Sequence, residues 1–598
     1  MTSDEKVTYF GETDSRNKRI KFGIKAKDRT KHMYVIGKTG MGKSTLLENM
    51  AIQDIQSGEG LCFIDPHGKT AELLLNYIPE NRVKDVLYFA PFDVEHPIAF
   101  NVMEDVGYDK RHLVVSGLMS TFRKIWVDAW SARMEYILSN TLLALLEYPG
   151  ATLLGVNKML SDKAYRKKVV DNIGDPAVKS FWVDEFAKYT DRFAAEATPA
   201  IQNKIGQFTS NPLIRNIIGQ PKSSFDLRKM MDERKIIIVN LSKGRVGESN
   251  ANLLGAMLIT KVYLAAMSRA DVSESVLRTL PNFYLYVDEF QSFANESFAD
   301  ILSEARKYKL NLTIAHQYIE QMSEEVRAAV FGNVGTMIVF RVGSYDAEVL
   351  EKEFAPQFTA EDIVNLGMYQ MYLKLMIDGV GSQPFSARGL APTPAPPVSL
   401  REQAIQMSRV QFGQLRSVVE DHVRLQTLGE SAAAAMVPAA PAARPHEDKR
   451  DRRPQASAPV SASAPAAASA PIAARLPARP ANNRRDSRDT RDNQNRNQDR
   501  RNRPAPPPPP DDVSDGFQGL AALKTLTSWP ERKGVTAESR QDLKQALAAI
   551  VKAPVPPPPA TVQAVPQRQA PQQKPTPQAN PAGNKEVPED VLKKILDM

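Results

Sequence analysis

Through residue 390 the chain alternates short apolar runs with stretches of helical spacing. Met33–Ile36, Leu61–Asp65, Val86–Phe89, Ile236–Leu241, Phe283–Asp288, Leu312–Ala315, Met337–Arg341 and Met371–Met376 are dense in β-branched and aromatic residues and are bounded by Gly, Pro or polar residues. That is the pattern of strands buried on both faces, and helices between them predict an α/β sheet covered by helices. Residues 106–230 break the alternation: they keep helical spacing without a convincing strand, which predicts an inserted all-α domain. The core domain then comprises residues 1–105 and 231–390.

Composition shifts near residue 391. Beyond it lie alanine runs, most of the prolines and few long apolar periodic segments, so 431–598 is expected to be mostly disordered. Residues 391–430 form a helical extension, with periodicity over 400–428, and Leu520 to Val551 can hold one or two short helices. The last segment, Pro588 to Asp597, has Pro at its start, acids in the first turn and Val591, Leu592, Ile595 and Leu596 on one face. It reads either as a short helix that docks a membrane or secretion-channel protein from a flexible tether or as a frayed chain end with incidental apolar residues.

Charge changes this picture little. The net charge of +8 arises entirely beyond residue 390, with 47 basic and 48 acidic residues up to that point and 30 and 21 after it, so bulk charge gives no argument for nucleic-acid binding by the folded part. One cysteine, Cys62, excludes an intramolecular disulfide, and the scattered histidines show no metal-ligand spacing. No run reaches the roughly 18 uninterrupted apolar residues of a membrane span, and the N-terminus lacks the apolar run of a signal peptide. These features lead to the expectation of a cytoplasmic protein.

The chemistry concentrates at strand ends. Gly37-Lys38-Thr39-Gly40-Met41-Gly42-Lys43-Ser44 fits G-x-x-x-x-G-K-[ST], with an apolar run before it and a helix start at Thr45 after it. Glycines let backbone N–H groups curl around a phosphate, the helix N-terminus adds its positive end, Lys43 reaches the β and γ phosphates, and Ser44 ligates Mg²⁺. The strand ending in Asp288 and Glu289 supplies the complement, Asp288 for the Mg²⁺ shell and Glu289 to polarise the attacking water. Gln317, after Asn311–His316, is the candidate γ-phosphate sensor, against the alternative of a plain surface amide. Arg306 and Arg341 are candidates for the cation that meets developing charge from a neighbouring subunit, against the alternative of ordinary salt-bridged surface residues. Asp65-Pro66-His67-Gly68 reads either as a pocket wall or as a tight turn, and the tryptophans of the insertion read better as core than as base-stacking platforms.

These motifs, in this order, resemble the HerA/FtsK superfamily of ring-forming DNA-pumping ATPases and within it the TraG/TraD-like coupling proteins of conjugative type IV secretion. The resemblance spans roughly residues 8–390 and is carried by Phe22-Gly23-Ile24, the loop Gly37 to Ser44, Asp65-Pro66-His67-Gly68, Tyr286 to Gln291, Ala305-Arg306-Lys307-Tyr308 and Ala315-His316-Gln317. It implies a RecA-like motor, a hexamer with ATP and Mg²⁺ between subunits, an arginine acting in trans, DNA in the pore, and an insertion that receives substrate. The membrane helices typical of coupling proteins do not precede the loop here, so recruitment to the inner face of the membrane would fall to a partner. A HerA-like motor in DNA end processing and a non-motor scaffold switched by ATP are the alternatives.

Overall fold

The computed structural model describes residues 3–14, 18–104 and 106–428. The disordered tail and terminal docking helix expected from the sequence lie outside the described residues. Thirteen strands occur among the described residues: β1 (Val7–Thr13), β2 (Lys21–Lys25), β3 (Met33–Ile36), β4 (Gly60–Asp65), β5 (Val86–Phe89), β6 (Ile236–Asn240), β7 (Phe283–Val287), β8 (Leu310–His316), β9 (Thr336–Val339), β10 (Gln370–Lys374), the small hairpin β11 (Met376–Ile377) and β12 (Val380–Gly381), and β13 (Phe385–Gly389).

All but the small hairpin join one sheet in the order β2-β1-β13-β10-β9-β3-β8-β7-β4-β6-β5. From β9 to β5 every pairing is parallel; from β9 to β2 every pairing is antiparallel. The parallel strands read as continuous apolar runs because both of their faces are covered. Met33 and Val35 enter one core with Leu61, Phe63, Ile236 and Ile238; Tyr34 and Ile36 enter the other with Cys62, Ile64, Ile237 and Val239. The helix Lys43–Gln56 covers the first face, and the helix Glu248–Met267 covers the second. The latter helix, extended to Asp271, is long and apolar enough to cross a membrane by composition, but 72% of its apolar 18-residue window is buried inside the fold.

Residues 108–232, between β5 and β6, are helical apart from their connections. Their helices begin where local chemistry says they should. Ser131, Asp162, Asp175, Asn211 and Asp226 each accept backbone N–H bonds at an N-cap, and Pro176, Pro199 and Pro212 occupy first-turn positions. Trp182 is buried there, while Trp126 stacks on Phe122.

The composition break near 391 is not a structural break. Asn49 donates to the carbonyl of Ala391 at 2.9 Å and accepts from the N–H and hydroxyl of Thr393, pinning the chain across the helix Lys43–Gln56. The helix Arg401–Phe412 then packs beside β5, where the N–H of Tyr88 donates to Ser408 Oγ at 2.9 Å. Finally the helix Arg416–Leu428 reaches the insertion, with Lys158 Nζ donating to the carbonyl of Gln426. Low strand content and many prolines masked a segment held by specific polar bonds.

Candidate functional site: a phosphate loop facing an acidic strand

β3 ends at Ile36 and the loop that follows is anchored on both sides. The N–H of Gly37 donates to the carbonyl of His316 at 3.3 Å, and that of Lys38 to the carbonyl of Arg341 at 2.8 Å. Gly40 and Gly42 take φ of 79° and 120°, in the region that L side chains avoid. At Gly42 the constraint is also steric, since a Cβ would meet the Tyr369 ring at 2.9 Å. Thr39, Gly40 and Ser44 are exposed, Met41 is buried, Thr45 is half-buried, and Leu46 and Leu47 enter the core. The loop is thus held from behind and open in front. Lys43 is 5% exposed and its ammonium donates to the loop carbonyls of Gly37 at 2.6 Å and Lys38 at 3.3 Å. Burial lowers its pKa, against the pull of Glu289 and Asp288.

The acidic pair arrives from β7, two strands from β3, with β8 between them. Ser44 Oγ donates to Asp288 Oδ2 at 3.3 Å. Asp288 is buried, and burial, then Glu289 and Asp65, push its carboxyl up to about 7. Glu289 has φ 48° and ψ 49°, a left-handed conformation uncommon for a residue with a side chain, and the following turn runs from it. Gln317, at the end of β8, joins the two halves: its Nε2 donates to Glu289 Oε1, and its Oε1 accepts from Thr39 Oγ1 at 3.2 Å. The second oxygen of Glu289 accepts from Gln291 Nε2.

Asp65, at the end of β4, spends both carboxylate oxygens on the N–H groups of His67 and Ala71. Gly68 behind it has φ 88° and no room for a Cβ, which would meet Ser242 Oγ at 2.2 Å. Both features make this motif a shaped turn; its carboxylate reaches the site through its charge on Asp288.

The two arginines fall at opposite ends of the sheet. Arg341 lies beside its own chain's loop, with its carbonyl bonded to Lys38. Arg306 is exposed in the turn Ala305–Tyr308, before the first residue of β8, whereas Gln317 follows the last. Seven strand residues, about 3.3 Å each, separate it from its own chain's site. His316 is buried, bonded to Tyr34 Oη at 3.2 Å, and burial, with Lys43 and Lys124 nearby, lowers its pKa to about 3, so it is neutral.

The sequence reading gave no role to Gln291, Lys124 or Tyr369. Gln291 sits two residues beyond Glu289, a spacing that could have flagged it. Lys124 and Tyr369 come from distant segments, and only the fold brings them here.

The residues suit a magnesium nucleotide. The loop has backbone room for phosphate oxygens, and a buried carboxylate with a raised pKa beside a second carboxylate and a hydroxyl is a place where a divalent cation relieves charge. Ser44 and Asp288 would hold Mg²⁺, with phosphate oxygens completing its shell. Fold and site together define a RecA-like P-loop nucleoside triphosphatase.

The family model for the type IV secretion-system coupling protein DNA-binding domain matches residues 20–369, more than half of the chain. The protein belongs to that family. No curated relative matches the sequence. Among solved structures, the chain is similar to the unbound bacterial conjugative coupling protein TrwBdeltaN70, at 13% identity and TM-score 0.47, covering 64% of this chain and 89% of that one. It is also similar to the plasmid coupling protein TrwB in complex with a non-hydrolysable ATP analogue, at 14%, 0.46, 68% and 98%. VirB4 of Thermoanaerobacter pseudethanolicus is similar at 14%, 0.44, 67% and 99%.

Proposed function

We propose that this protein is an ATP-hydrolysing, ring-forming DNA translocase serving conjugative type IV secretion, with ATP and Mg²⁺ as its cofactors. The observation that carries the enzymatic part is the meeting, at the ends of three neighbouring strands, of Ser44 with Asp288 and of Thr39 with Gln317 and Glu289. Family membership carries the DNA part.

In this reading Lys43 leaves the loop carbonyls for the β and γ phosphates, and the backbone N–H groups of Thr39, Gly40 and residues 42–45 cradle them. Ser44 and Asp288 would hold Mg²⁺, which would supply charge neutralisation at the phosphate oxygens. Glu289 orients water in line with the γ phosphorus and takes up its proton as the phosphorus–oxygen bond to ADP breaks. Gln317, bonded to loop and base alike, reports whether the γ phosphate is present.

Among the two arginines, Arg306 suits action in trans, because it is exposed and remote from its own loop. Arg341 suits a cis position beside the phosphates. An Arg306→Ala subunit should then poison mixed hexamers more than in proportion to its share; a strictly proportional loss would assign the trans role elsewhere.

The protein is proposed to act at the cytoplasmic face of a secretion channel, recruited through its C-terminal segment. ATPase rate with and without single- and double-stranded DNA tests the function. Stimulation by DNA is expected; a rate indifferent to both forms would favour a scaffold switched by ATP.

A further inference from the structure

The helix Arg111–Ile125 of the insertion is seated on the core helix Glu248–Met267 so closely that a Cβ on Gly117 would meet Thr260 Cγ2 at 2.7 Å. Its last turns grip the segment that follows the acidic pair, residue against residue. Lys124 Nζ donates to the carbonyls of Gln291 and Ala294. Thr121 Oγ1 accepts from Asn295 Nδ2 at 3.1 Å, Arg123 pairs with Glu296 at 3.1 Å, and Ser297 Oγ lies 3.4 Å from Ser120 Oγ. From below, Phe293 packs on Gly255, where a Cβ would be only 2.3 Å from its ring.

The same segment begins with Gln291, whose amide nitrogen donates to Glu289 and whose buried Oε1 has no hydrogen-bond partner. A continuous polar chain therefore runs from the insertion to the phosphate loop: Lys124, the Gln291 carbonyl, the Gln291 amide, Glu289, Gln317 and Thr39. Both oxygens of Glu289 are occupied by amide donors in this arrangement. Each oxygen keeps a second lone pair, but two amide donors, one at either side, fix the plane of the carboxylate and so the direction from which water can approach it. Gln317 is tied to the loop that binds the phosphates, which leaves Gln291 as the donor governed from outside the nucleotide.

We propose that Gln291 is a positioning residue that restrains Glu289, and that Lys124 couples this restraint to the placement of the helical insertion. A shift of the helix Arg111–Ile125 against the sheet moves the Gln291 backbone, withdraws its amide and lets the Glu289 carboxylate turn toward the attacking water. The effect is on turnover, not on ATP affinity, because Gln291 and Lys124 touch neither phosphate loop nor metal ligands.

The inference rests on the ATPase reading for its site and on the DNA reading for its physiological trigger, and the two can be tested apart. In the full-length protein, Gln291→Leu should raise the DNA-free kcat several-fold with an unchanged ATP KM. Lys124→Met should collapse the ratio of DNA-stimulated to DNA-free rate toward one, and Lys124→Arg should largely restore it. Wild-type stimulation retained in Lys124→Met, or a Gln291→Leu protein whose KM moves instead of its kcat, overturns the coupling. Should Lys124→Met fail to fold, Gln291→Leu carries the same test, since it removes only a side-chain link at a half-buried position. Absence of DNA stimulation in the wild type would sink the proposed trigger, and the kcat of Gln291→Leu would still decide the positioning role.

Discussion

The parallel and antiparallel halves of the sheet divide the labour of this protein. The parallel half, β9 to β5, presents Gly37 to Ser44, Asp65, Asp288, Glu289 and Gln317 at the same ends of successive strands, where loops leave the sheet together. The antiparallel half carries no group that touches phosphate or metal in the proposed reaction. Instead it braces the loop: the N–H of Tyr369 donates to the Met41 carbonyl at 3.1 Å, its carbonyl accepts from Gly389, and Phe340, at the seam, closes against Gly37. Tyr369 takes φ 64° to do so. One half needs particular chemical groups, and the other needs a shape.

The largest effect on this comparison should come from the chemical half. Lys43→Ala removes the only ammonium buried in the loop, and hydrolysis should fall by about 10³ or more while ring assembly and the unfolding midpoint stay near wild type. Near-normal turnover in a steady-state assay would remove the loop from the mechanism.

The bracing half should fail differently, in stability. Arg29, fully buried, pairs with Asp54 of the phosphate-loop helix at 2.8 Å and also donates to Thr8 of β1 and to Tyr286 of the acidic strand. Its guanidinium lies 3.6 Å over the Tyr284 ring. Arg29→Met leaves the buried Asp54 carboxylate without its cation, with the Tyr286 hydroxyl still donating to it, and should cost about 3–5 kcal/mol in denaturant unfolding. A loss below 1 kcal/mol would show that the two halves do not depend on this pair.

A smaller effect sharpens the line between the halves, because the chemical half is strained for its task. Burial holds the Asp288 carboxyl near 7 in the nucleotide-free fold, well above its ordinary value. For a raised carboxyl the stabilising contribution is present at acid pH and is lost as pH rises through 7. Asp288→Asn should therefore stabilise the nucleotide-free protein at pH 8, on the order of 1–3 kcal/mol, and the gain should shrink below pH 7. Mg²⁺-dependent hydrolysis should disappear in the same variant. Thermal unfolding at pH 6 and pH 8 without Mg²⁺ checks it, and an equal or lower stability at pH 8 would contradict the assignment.

The same division explains what the sequence revealed. Each of the eight apolar runs coincides with a strand; seven are parallel strands buried on both faces, which leave continuous hydrophobic stretches, and the eighth, Met371–Met376, falls on the antiparallel β10, buried at alternate positions. The outer strands β1, β2 and β13 lack that signal. β1 contains Gly11 at an irregular register, and Phe385-Ser386-Ala387-Arg388-Gly389 has no β-branched residue. Lys43, Ser44, Asp288 and Glu289 could be picked out in the sequence because the roles proposed for them fix residue type and spacing, and the fold brings them together. Lys124, Gln291, Tyr369 and Arg29 answer only to what the fold places beside them, and neighbouring residues in sequence say nothing of that. The strap 390–400 was hidden for a similar reason, being extended chain held by Asn49, Asn76 and Tyr77 from another element.

Translocation itself tests the central claim most directly. The full-length protein with ATP and Mg²⁺ should displace streptavidin from an end-biotinylated DNA, single- or double-stranded, at a rate that follows hydrolysis. Glu289→Gln, which keeps the loop and the metal ligands but loses the proton acceptor, should bind the same DNA and ATP yet displace about 10²–10⁴ times more slowly. Equal displacement by Glu289→Gln, or hydrolysis by the wild type without displacement from either form of DNA, would contradict a hydrolysis-driven DNA motor.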